Sequence, residues 1–378
     1  MRLIAFILIF FAINSNPFSF AQILNNTNDT NTANIGKLDR LLEYANNDNA
    51  EGLRQLISEG SISNFINFGD SQGHNALITA VSKGYKDIAL ILLSQQIDVD
   101  ITCKHGKTAL IYAADSGYVD IVSYLLAKNA NPNIKTSGGT TALLQAAGKG
   151  YYSIVETLIK AKADLRLSGI YRSGNNDGID YNMTPLMIAA FNNHDLIVKL
   201  LLDNGSEINR INEYGANALF YAIANGNNET AKMLLENGGD ANISATYGTY
   251  GNITPLALAS SHGSTDLISS LLIGKANINH IMKNGRTALI WAAISSKSEA
   301  IATLINARAD LNIADNDGKT ALMFAAENGD YNSVEYLINA GANINTVDKF
   351  SKNALMYAME NGNLDIIDLI TRASLNNR

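Results

Sequence analysis

One short motif returns along this chain at an almost constant spacing. It ends in a leucine that follows Ala or Pro, and six of the eight steps between successive leucines are 33 residues. Repetition at such a period is typical of a solenoid, in which each unit buries its apolar face only against its neighbours. The nine leucines are Leu77, Leu110, Leu143, Leu186, Leu219, Leu256, Leu289, Leu322 and Leu355.

Each unit begins with the signals of a short helix. The residue two places before the leucine is always Thr or Asn, whose side-chain oxygen accepts a backbone N–H at a helix start. Ala or Pro follows, and Pro is favoured at the first helical position. A glycine such as Gly117 or Gly329 then suits the left-handed conformation that ends a helix. The predicted N-caps are Asn75, Thr108, Thr141, Thr184, Asn217, Thr254, Thr287, Thr320 and Asn353.

A second helix is predicted in every unit. In the second unit, Ile121, Val122, Leu125 and Leu126 have the three- and four-residue spacing of an amphipathic helix. An Asn- and Gly-rich turn follows, as at 129–131, and returns the chain for the next unit.

This repeat resembles the ankyrin repeat. The matching strings are Gly-Lys-Thr-Ala-Leu at 106–110 and 318–322, Thr-Pro-Leu at 184–186 and 254–256, and Asn-Ala-Gly-Ala-Asn-Ile-Asn at 339–345. The resemblance implies an all-α solenoid of stacked helix-turn-helix units with short hairpin loops and a concave face. Ankyrin repeats commonly carry His after the leucine, whereas this chain has apolar residues there, so we expect its stability to depend more on apolar packing.

The resemblance covers about 37–373. A degenerate helix pair at about 37–66 is predicted to cap the N-terminal end, and nine repeats occupy about 70–373. The Asn- and Thr-rich segment 22–36 is predicted to be a disordered linker, and 374–378 a short tail. Two steps between leucines are longer than 33 residues, which places insertions at 167–181 and 244–251.

Residues 1–21 have the features of an export signal. Arg2 precedes the apolar run 3–13, and Ser19-Phe20-Ala21 places small residues where a signal peptidase reads. The run is too short to span a bilayer comfortably, which takes about 20 residues. We therefore predict cleavage, no membrane insertion afterwards, and a monomer in the periplasm or outside the cell. The alternatives are an uncleaved anchor and a secreted factor directed at a host cell.

Composition argues against several other functions. The formal net charge of -7 and the lack of Lys or Arg runs argue against nucleic-acid binding. Cys103 is the single cysteine, which rules out an intramolecular disulfide, and we expect it to be a surface thiol. The five histidines show no metal-ligand spacing, so we predict no metal, no cofactor and no catalytic residue. An enzyme whose site the sequence hides is the alternative from a different functional class.

In the ankyrin family, partners dock on hairpin tips and first helices, and the resemblance places a binding surface there. The two insertions flank a stretch rich in aromatic residues, and tyrosine is favoured in binding hot spots. Later hairpin tips carry Lys283, Arg286, Asp317, Lys319, Lys349 and Phe350. The residues predicted to bind a protein partner are Tyr171, Tyr181, Phe191, Tyr214, Tyr247, Tyr250, Lys283 and Arg286.

A further set of aromatic residues shares one position, two places after the leucine. That position lies inside the first helix, where side chains pack between helices, so we predict that they belong to the core. These residues are Tyr112, Tyr221, Trp291, Phe324 and Tyr357.

Overall fold

The computed structural model describes residues 29–60, 62–172, 180–247 and 251–376. The chain divides into two compact units, the first ending at Ile170 and the second beginning at Tyr171. The predicted export signal 1–21 lies outside the described residues. Among the described helices, none has the length and apolar character needed to cross a membrane.

The first unit contains the N-terminal helix pair and repeats one to three. Each second helix packs on the first helix of its own pair, and first helices of adjacent pairs also pack together. The helices are α1 (Asp29–Asn46), α2 (Ala50–Ser58), α3 (Ala76–Ser82), α4 (Lys86–Leu93), α5 (Ala109–Ser116), α6 (Val119–Ala127), α7 (Ala142–Lys149) and α8 (Tyr152–Lys160).

Repeats four to nine form the second unit, with the boundary falling inside strand β1 (Gly169–Arg172). Its elements are β2 (Asp180–Met183), α9 (Pro185–Phe191), α10 (Asp195–Asp203), α11 (Ala218–Ala224), α12 (Asn228–Glu236), β3 (Ala245–Tyr247), β4 (Gly251–Ile253), α13 (Pro255–His262), α14 (Thr265–Ile273), α15 (Ala288–Ile294), α16 (Ser298–Asn306), α17 (Ala321–Asn328), α18 (Tyr331–Asn339), α19 (Ala354–Asn361) and α20 (Leu364–Asn376).

The predicted helix starts are confirmed in all nine repeats. Each Thr or Asn has extended backbone and its side chain accepts the backbone N–H of the residue after the leucine. Such a cap stabilises a helix by about 1 kcal/mol. The glycines that end the first helices have positive φ, and Asn193 and Ser296 take the same left-handed conformation in the repeats without glycine.

Apolar packing between neighbouring repeats forms the core. The leucine and the apolar residue after it are buried in each of the first eight repeats, from Leu77 and Ile78 to Leu322 and Met323. Burying one such side chain contributes about 1.5–3 kcal/mol. The structure therefore places apolar side chains at the position where ankyrin repeats commonly carry His.

Successive hairpins are joined by backbone hydrogen bonds. In the second unit, the Lys349 N–H donates to the Asp317 carbonyl at 2.9 Å. A Cβ at Gly318, whose φ is +83°, would lie 3.0 Å from the Asp348 Cα. Glycine is favoured there because the positive φ costs it nothing and because a Cβ would crowd the backbone of the next hairpin.

The Asn-rich turns after the second helices are also joined from repeat to repeat. The Asn312 Oδ1 accepts the Asn343 N–H at 2.8 Å, and the Asn279 Oδ1 accepts the Asp310 N–H at 2.9 Å. The first unit has the same contact, from the Asp164 N–H to the Asn133 Oδ1 at 2.8 Å. These side chains hold the turns in register along each unit.

Three features of the structure differ from the sequence predictions. Helix α1 begins at Asp29, so 29–36 of the predicted linker is helical. Helix α20 continues to Asn376, so most of the predicted tail is helical as well. Both insertions contain strands, and β3 pairs with β4 in an antiparallel ribbon.

Candidate functional site

Phe191, one of the residues predicted to bind a partner, is only 8% exposed. Its ring meets the fully buried ring of Tyr221 edge-on, with 6.0 Å between the ring centroids. Phe191 ends the short helix α9, and its side chain turns into the core of the second unit. The prediction that it belongs to an exposed patch was wrong, because the sequence does not show on which side of the helix end the ring lies.

The structure describes the predicted tyrosine patch only in part. Tyr214 is half-buried in a hairpin, where its N–H donates to the Asn212 Oδ1 and its carbonyl accepts the Thr246 N–H. Tyr171, Tyr181 and Tyr247 lie in strands, but their side chains are outside the described residues, as is the whole of Tyr250. The patch therefore stays a prediction.

Lys283 and Arg286 lie on the hairpin of repeat seven. Lys283 is exposed at the tip. The Arg286 guanidinium lies over the Trp291 ring, 5.2 Å from its centroid, and its Nε is 3.5 Å from the Asp315 Oδ2 of the next repeat. Cations over aromatic faces are attracted by the ring quadrupole.

Arg286 belongs to a pattern that the two following repeats share. In repeat eight, the Lys319 Nζ is 4.9 Å from the Phe324 ring centroid and 2.7 Å from the Glu327 Oε2. In repeat nine, the corresponding residues are Lys352, Tyr357 and Glu360, with an ion-pair distance of 2.6 Å. Arg286 differs because the residue eight places after it, where Lys319 and Lys352 have a glutamate, is Ile294.

These groups are also linked between repeats. The Lys319 Nζ lies 4.2 Å from the centroid of the Tyr357 ring, and the Arg286 Cζ lies 5.6 Å from that of the Phe324 ring. The linked groups and the adjacent tips form what we call the C-terminal hairpin surface, which comprises Lys283, Arg286, Asp317, Lys319, Lys349, Phe350 and Lys352.

The buried carboxylates of Asp315 and Asp348 hold the turns of the hairpins that form this surface. Asp315 accepts the N–H groups of Asp317 and Lys319, both at 3.0 Å. Burial raises the pKa of the Asp348 carboxyl, but hydrogen bonds from the Tyr357 hydroxyl and from backbone N–H groups outweigh it and lower that pKa below its ordinary value. Burial and the bond to Asp348 raise the pKa of the Tyr357 hydroxyl. Each of these two carboxyl groups thus anchors the turn of its hairpin.

Exposed apolar side chains lie beside the cations. Phe350 is 65% exposed under the Lys349 ammonium, which is 5.0 Å from its ring centroid. Ile281 and Val347 are also more than half exposed, next to the hairpins of repeats seven and nine. An interface that combines apolar side chains with cations fits a partner segment that carries both apolar and acidic side chains.

The first unit contains one related group, in repeat two. The Lys107 Nζ lies 4.9 Å from the Tyr112 ring centroid and 3.3 Å from the Asp115 Oδ2. Tyr112 is only half-buried, so the prediction that it is core was wrong, while Tyr221, Trp291, Phe324 and Tyr357 are buried as predicted. The repeats on either side offer no aromatic ring at this position that would cover Tyr112.

Cys103 is buried, contrary to the prediction of a surface thiol. It takes the first position of the hairpin, where Asp70, Asn212, Asp315 and Asp348 stand in four other repeats, and its Sγ is 3.8 Å from the Tyr112 hydroxyl. That hydroxyl also lies 3.3 Å from the His74 Nε2. Burial and the contact with Cys103 raise the pKa of the Tyr112 hydroxyl to about 12, so it is protonated at neutral pH.

Sequence reasoning named Lys319, Lys349 and Phe350 only as tip residues and missed Lys352, Glu327 and Glu360. The missed signal is a cation followed by an aromatic ring five residues later and a carboxylate eight residues later. Within the part of the chain that the structure describes, no group of three or more His, Cys, Asp or Glu could hold a metal ion.

Comparison with known families gives one result. The family model described as ankyrin repeats (3 copies) matches residues 8–103, 95–169, 167–247, 246–315 and 303–378. No curated protein matches the chain.

Proposed function

Because the chain belongs to the ankyrin repeat family, we propose that it is a non-enzymatic scaffold that binds a protein partner on the C-terminal hairpin surface. Ankyrin repeats are generally protein-interaction modules, and their proteins are generally scaffolds without enzymatic activity. The observation that supports this surface is the linked array in which Arg286 and Lys319 each contact aromatic rings of two repeats.

The array suits recognition because it is held in place before a partner arrives. Its hairpins are joined by backbone hydrogen bonds, and the buried Asp315 and Asp348 hold their turns. A surface that is ordered in advance loses less entropy on binding. The exposed Lys283 and Phe350 would supply the charged and the apolar contact.

We include export in the proposal. It rests on the apolar run 3–13 and on Ser19-Phe20-Ala21, and it places the scaffold in the periplasm or outside the cell. The mass of the protein isolated from the exported fraction tests this directly. A chain that begins at Gln22 supports export with cleavage, and an intact N-terminus in the cytoplasmic fraction contradicts it.

Affinity capture from native cells tests the binding surface. The first bait is the protein itself, and the second carries Lys283→Glu with Phe350→Ser. The matched control carries Lys199→Glu with Ile273→Ser, which makes one charge reversal and one apolar-to-Ser change at exposed positions of α10 and α14. We expect mass spectrometry to find a partner with the unchanged and control baits and to find it lost with the second.

A fourth bait separates this surface from the tyrosine patch. It carries Tyr181→Ala, Tyr214→Ala and Tyr250→Ala near the two insertions. If this bait loses the partner while the Lys283→Glu/Phe350→Ser bait keeps it, the partner binds near the insertions and the C-terminal hairpin surface is not the site.

A further inference from the structure

The hydroxyl of Tyr112 lies between two metal-binding side chains from adjacent hairpins. The Cys103 Sγ of repeat two is 3.8 Å from it, and the His74 Nε2 of repeat one is 3.3 Å from it. The two hairpins are held together by their backbone, since the Lys104 N–H donates to the Gln72 carbonyl at 2.9 Å. A sulfur, an imidazole nitrogen and an oxygen are therefore gathered at one place in the first unit.

The tyrosines at the same position of two other repeats have different neighbours. In repeat nine, the Tyr357 hydroxyl donates to the Asp348 carboxylate. In repeat five, the Tyr221 hydroxyl accepts a hydrogen bond from the Asn212 amide. Repeat two has a thiol in place of that carboxylate or amide, and repeat one has an imidazole where the repeats before these two tyrosines have Lys319 and Met183. Thiol and imidazole are both ligands of transition metals, and here they meet at one hydroxyl.

The distances fit three ligands of one zinc ion. Sulfur, nitrogen and oxygen ligands lie about 2.0–2.3 Å from zinc in tetrahedral sites, so they lie about 3.3–3.7 Å from one another. Both distances from the Tyr112 hydroxyl are within about 0.1 Å of this range. Cys103 is 4% exposed and the His74 side chain is 31% exposed, so solvent reaches the group at the imidazole.

Asp70 supports the imidazole at its other nitrogen. The Asp70 Oδ2 is 3.6 Å from the His74 Nδ1, and its Oδ1 accepts the N–H groups of Gln72 and His74 at 2.8 and 2.9 Å. A carboxylate beside Nδ1 favours the proton on that nitrogen and leaves the lone pair on Nε2, the atom that faces Tyr112. Histidines that bind metals usually have a carboxylate, a carbonyl or water in this place.

The charges of the group suit a divalent cation. The Lys107 Nζ lies 4.9 Å from the Tyr112 ring centroid, but it is paired with the Asp115 Oδ2 at 3.3 Å. The ammonium is therefore balanced by a carboxylate of its own repeat. The Asp70 carboxylate and a Cys103 thiolate together balance the two positive charges of the metal ion.

We propose that the His74 Nε2, the Cys103 Sγ and the Tyr112 hydroxyl oxygen bind one zinc ion. Cys103 binds as the thiolate and releases its proton to solvent, while Tyr112 binds as the neutral hydroxyl. Water fills the fourth position, as in other zinc sites with three protein ligands. The ion joins the hairpins of repeats one and two and stabilises the first unit. Histidine spacing did not indicate this site because only one of its ligands is a histidine.

Titration of the purified protein with cobalt(II), a spectroscopic substitute for zinc, tests the proposal. The protein is kept reduced, carries no histidine tag and is first freed of metal with a chelator. We expect one cobalt ion per chain, with the visible bands of four-coordinate cobalt and a near-ultraviolet thiolate-to-cobalt band. That band can arise only from Cys103, the single cysteine. Zinc is expected to displace the cobalt and to raise the unfolding temperature measured by calorimetry.

Variants identify the ligands. Cys103→Ser and His74→Gln are each expected to abolish the bands of four-coordinate cobalt. Asp70→Asn is expected to weaken cobalt binding about 10- to 100-fold, because it removes the charge that supports the imidazole. The matched control is His105→Gln, which changes an exposed histidine in the hairpin of repeat two and is expected to leave the titration unchanged.

Two results would overturn the proposal. One is cobalt that keeps the weak bands of the six-coordinate aqueous ion in the presence of the unchanged protein. The other is a Cys103→Ser or His74→Gln variant that folds normally by circular dichroism and binds cobalt with the same four-coordinate bands and the same affinity as the unchanged protein.

Discussion

The group around Tyr112 in the first unit and the groups around Phe324 and Tyr357 in the second have the same local pattern but different surroundings. Lys107 contacts one ring, whereas Lys319 contacts the rings of two repeats. The flanking repeats of the first unit carry Thr79 and Gln145 at the aromatic position, so Tyr112 is only half-buried. The same pattern becomes a continuous array only where neighbouring repeats share it.

The largest expected difference between the two regions concerns the aromatic rings. Phe324→Ala removes a buried ring and is expected to lower the free energy of unfolding by about 3–5 kcal/mol. Tyr112→Ala removes a ring that is only half-buried and is expected to lower the free energy of unfolding by about 1–2 kcal/mol. Urea denaturation followed by circular dichroism measures both. Equal losses would show that the array adds nothing to packing in the second unit.

The second prediction concerns the cations. Arg286→Gln leaves the buried Asp315 carboxylate with backbone N–H donors only, and we expect a loss of about 1–3 kcal/mol. Lys107→Gln breaks a partly exposed ion pair with Asp115 and is expected to cost about 0–1 kcal/mol. Thermal melts of the two variants compare the regions directly, and a larger effect for Lys107→Gln contradicts the comparison.

The smallest expected effect is a pH dependence of the stability of the second unit. Partial burial and the nearby Lys297 lower the pKa of the His262 imidazole below its ordinary value of 6.5. The unfolded chain therefore binds the proton more tightly, and the stability contributed by neutral His262 is lost as the pH falls through about 6.5. His262→Gln is expected to reduce the loss of thermal stability between pH 7.5 and 5.5, measured by calorimetry. A variant with unchanged pH dependence contradicts this assignment.

Sequence reasoning predicted the fold well because each repeat contains the residues that begin and end its own first helix. Residues such as Thr320 and Gly329 fix the start and end of a helix by local hydrogen bonding and backbone conformation, which a sequence shows directly. Because the motif occurs in nine repeats, each helix assignment is supported by the other eight. The strands β3 and β4 were missed because each is three residues long, within a segment that reads as a loop.

The candidate site was predicted less well, for reasons that depend on neighbours. Phe191 and Cys103 were placed on the surface because they stand at a helix end and in a hairpin, yet both side chains turn inward. The contact of Lys319 with Tyr357 joins two repeats and therefore depends on how they stack, which the sequence of one repeat does not show. Only the spacing of cation, ring and carboxylate could have indicated it.

Hydrogen–deuterium exchange of the protein with its captured partner tests the central claim most directly. The claim predicts slower exchange at 282–286, 315–319 and 348–352, the hairpins of the C-terminal hairpin surface, with no change in the second helices α10 and α14. Protection confined to those second helices, or to 180–184 and 251–254 beside the insertions, would contradict it.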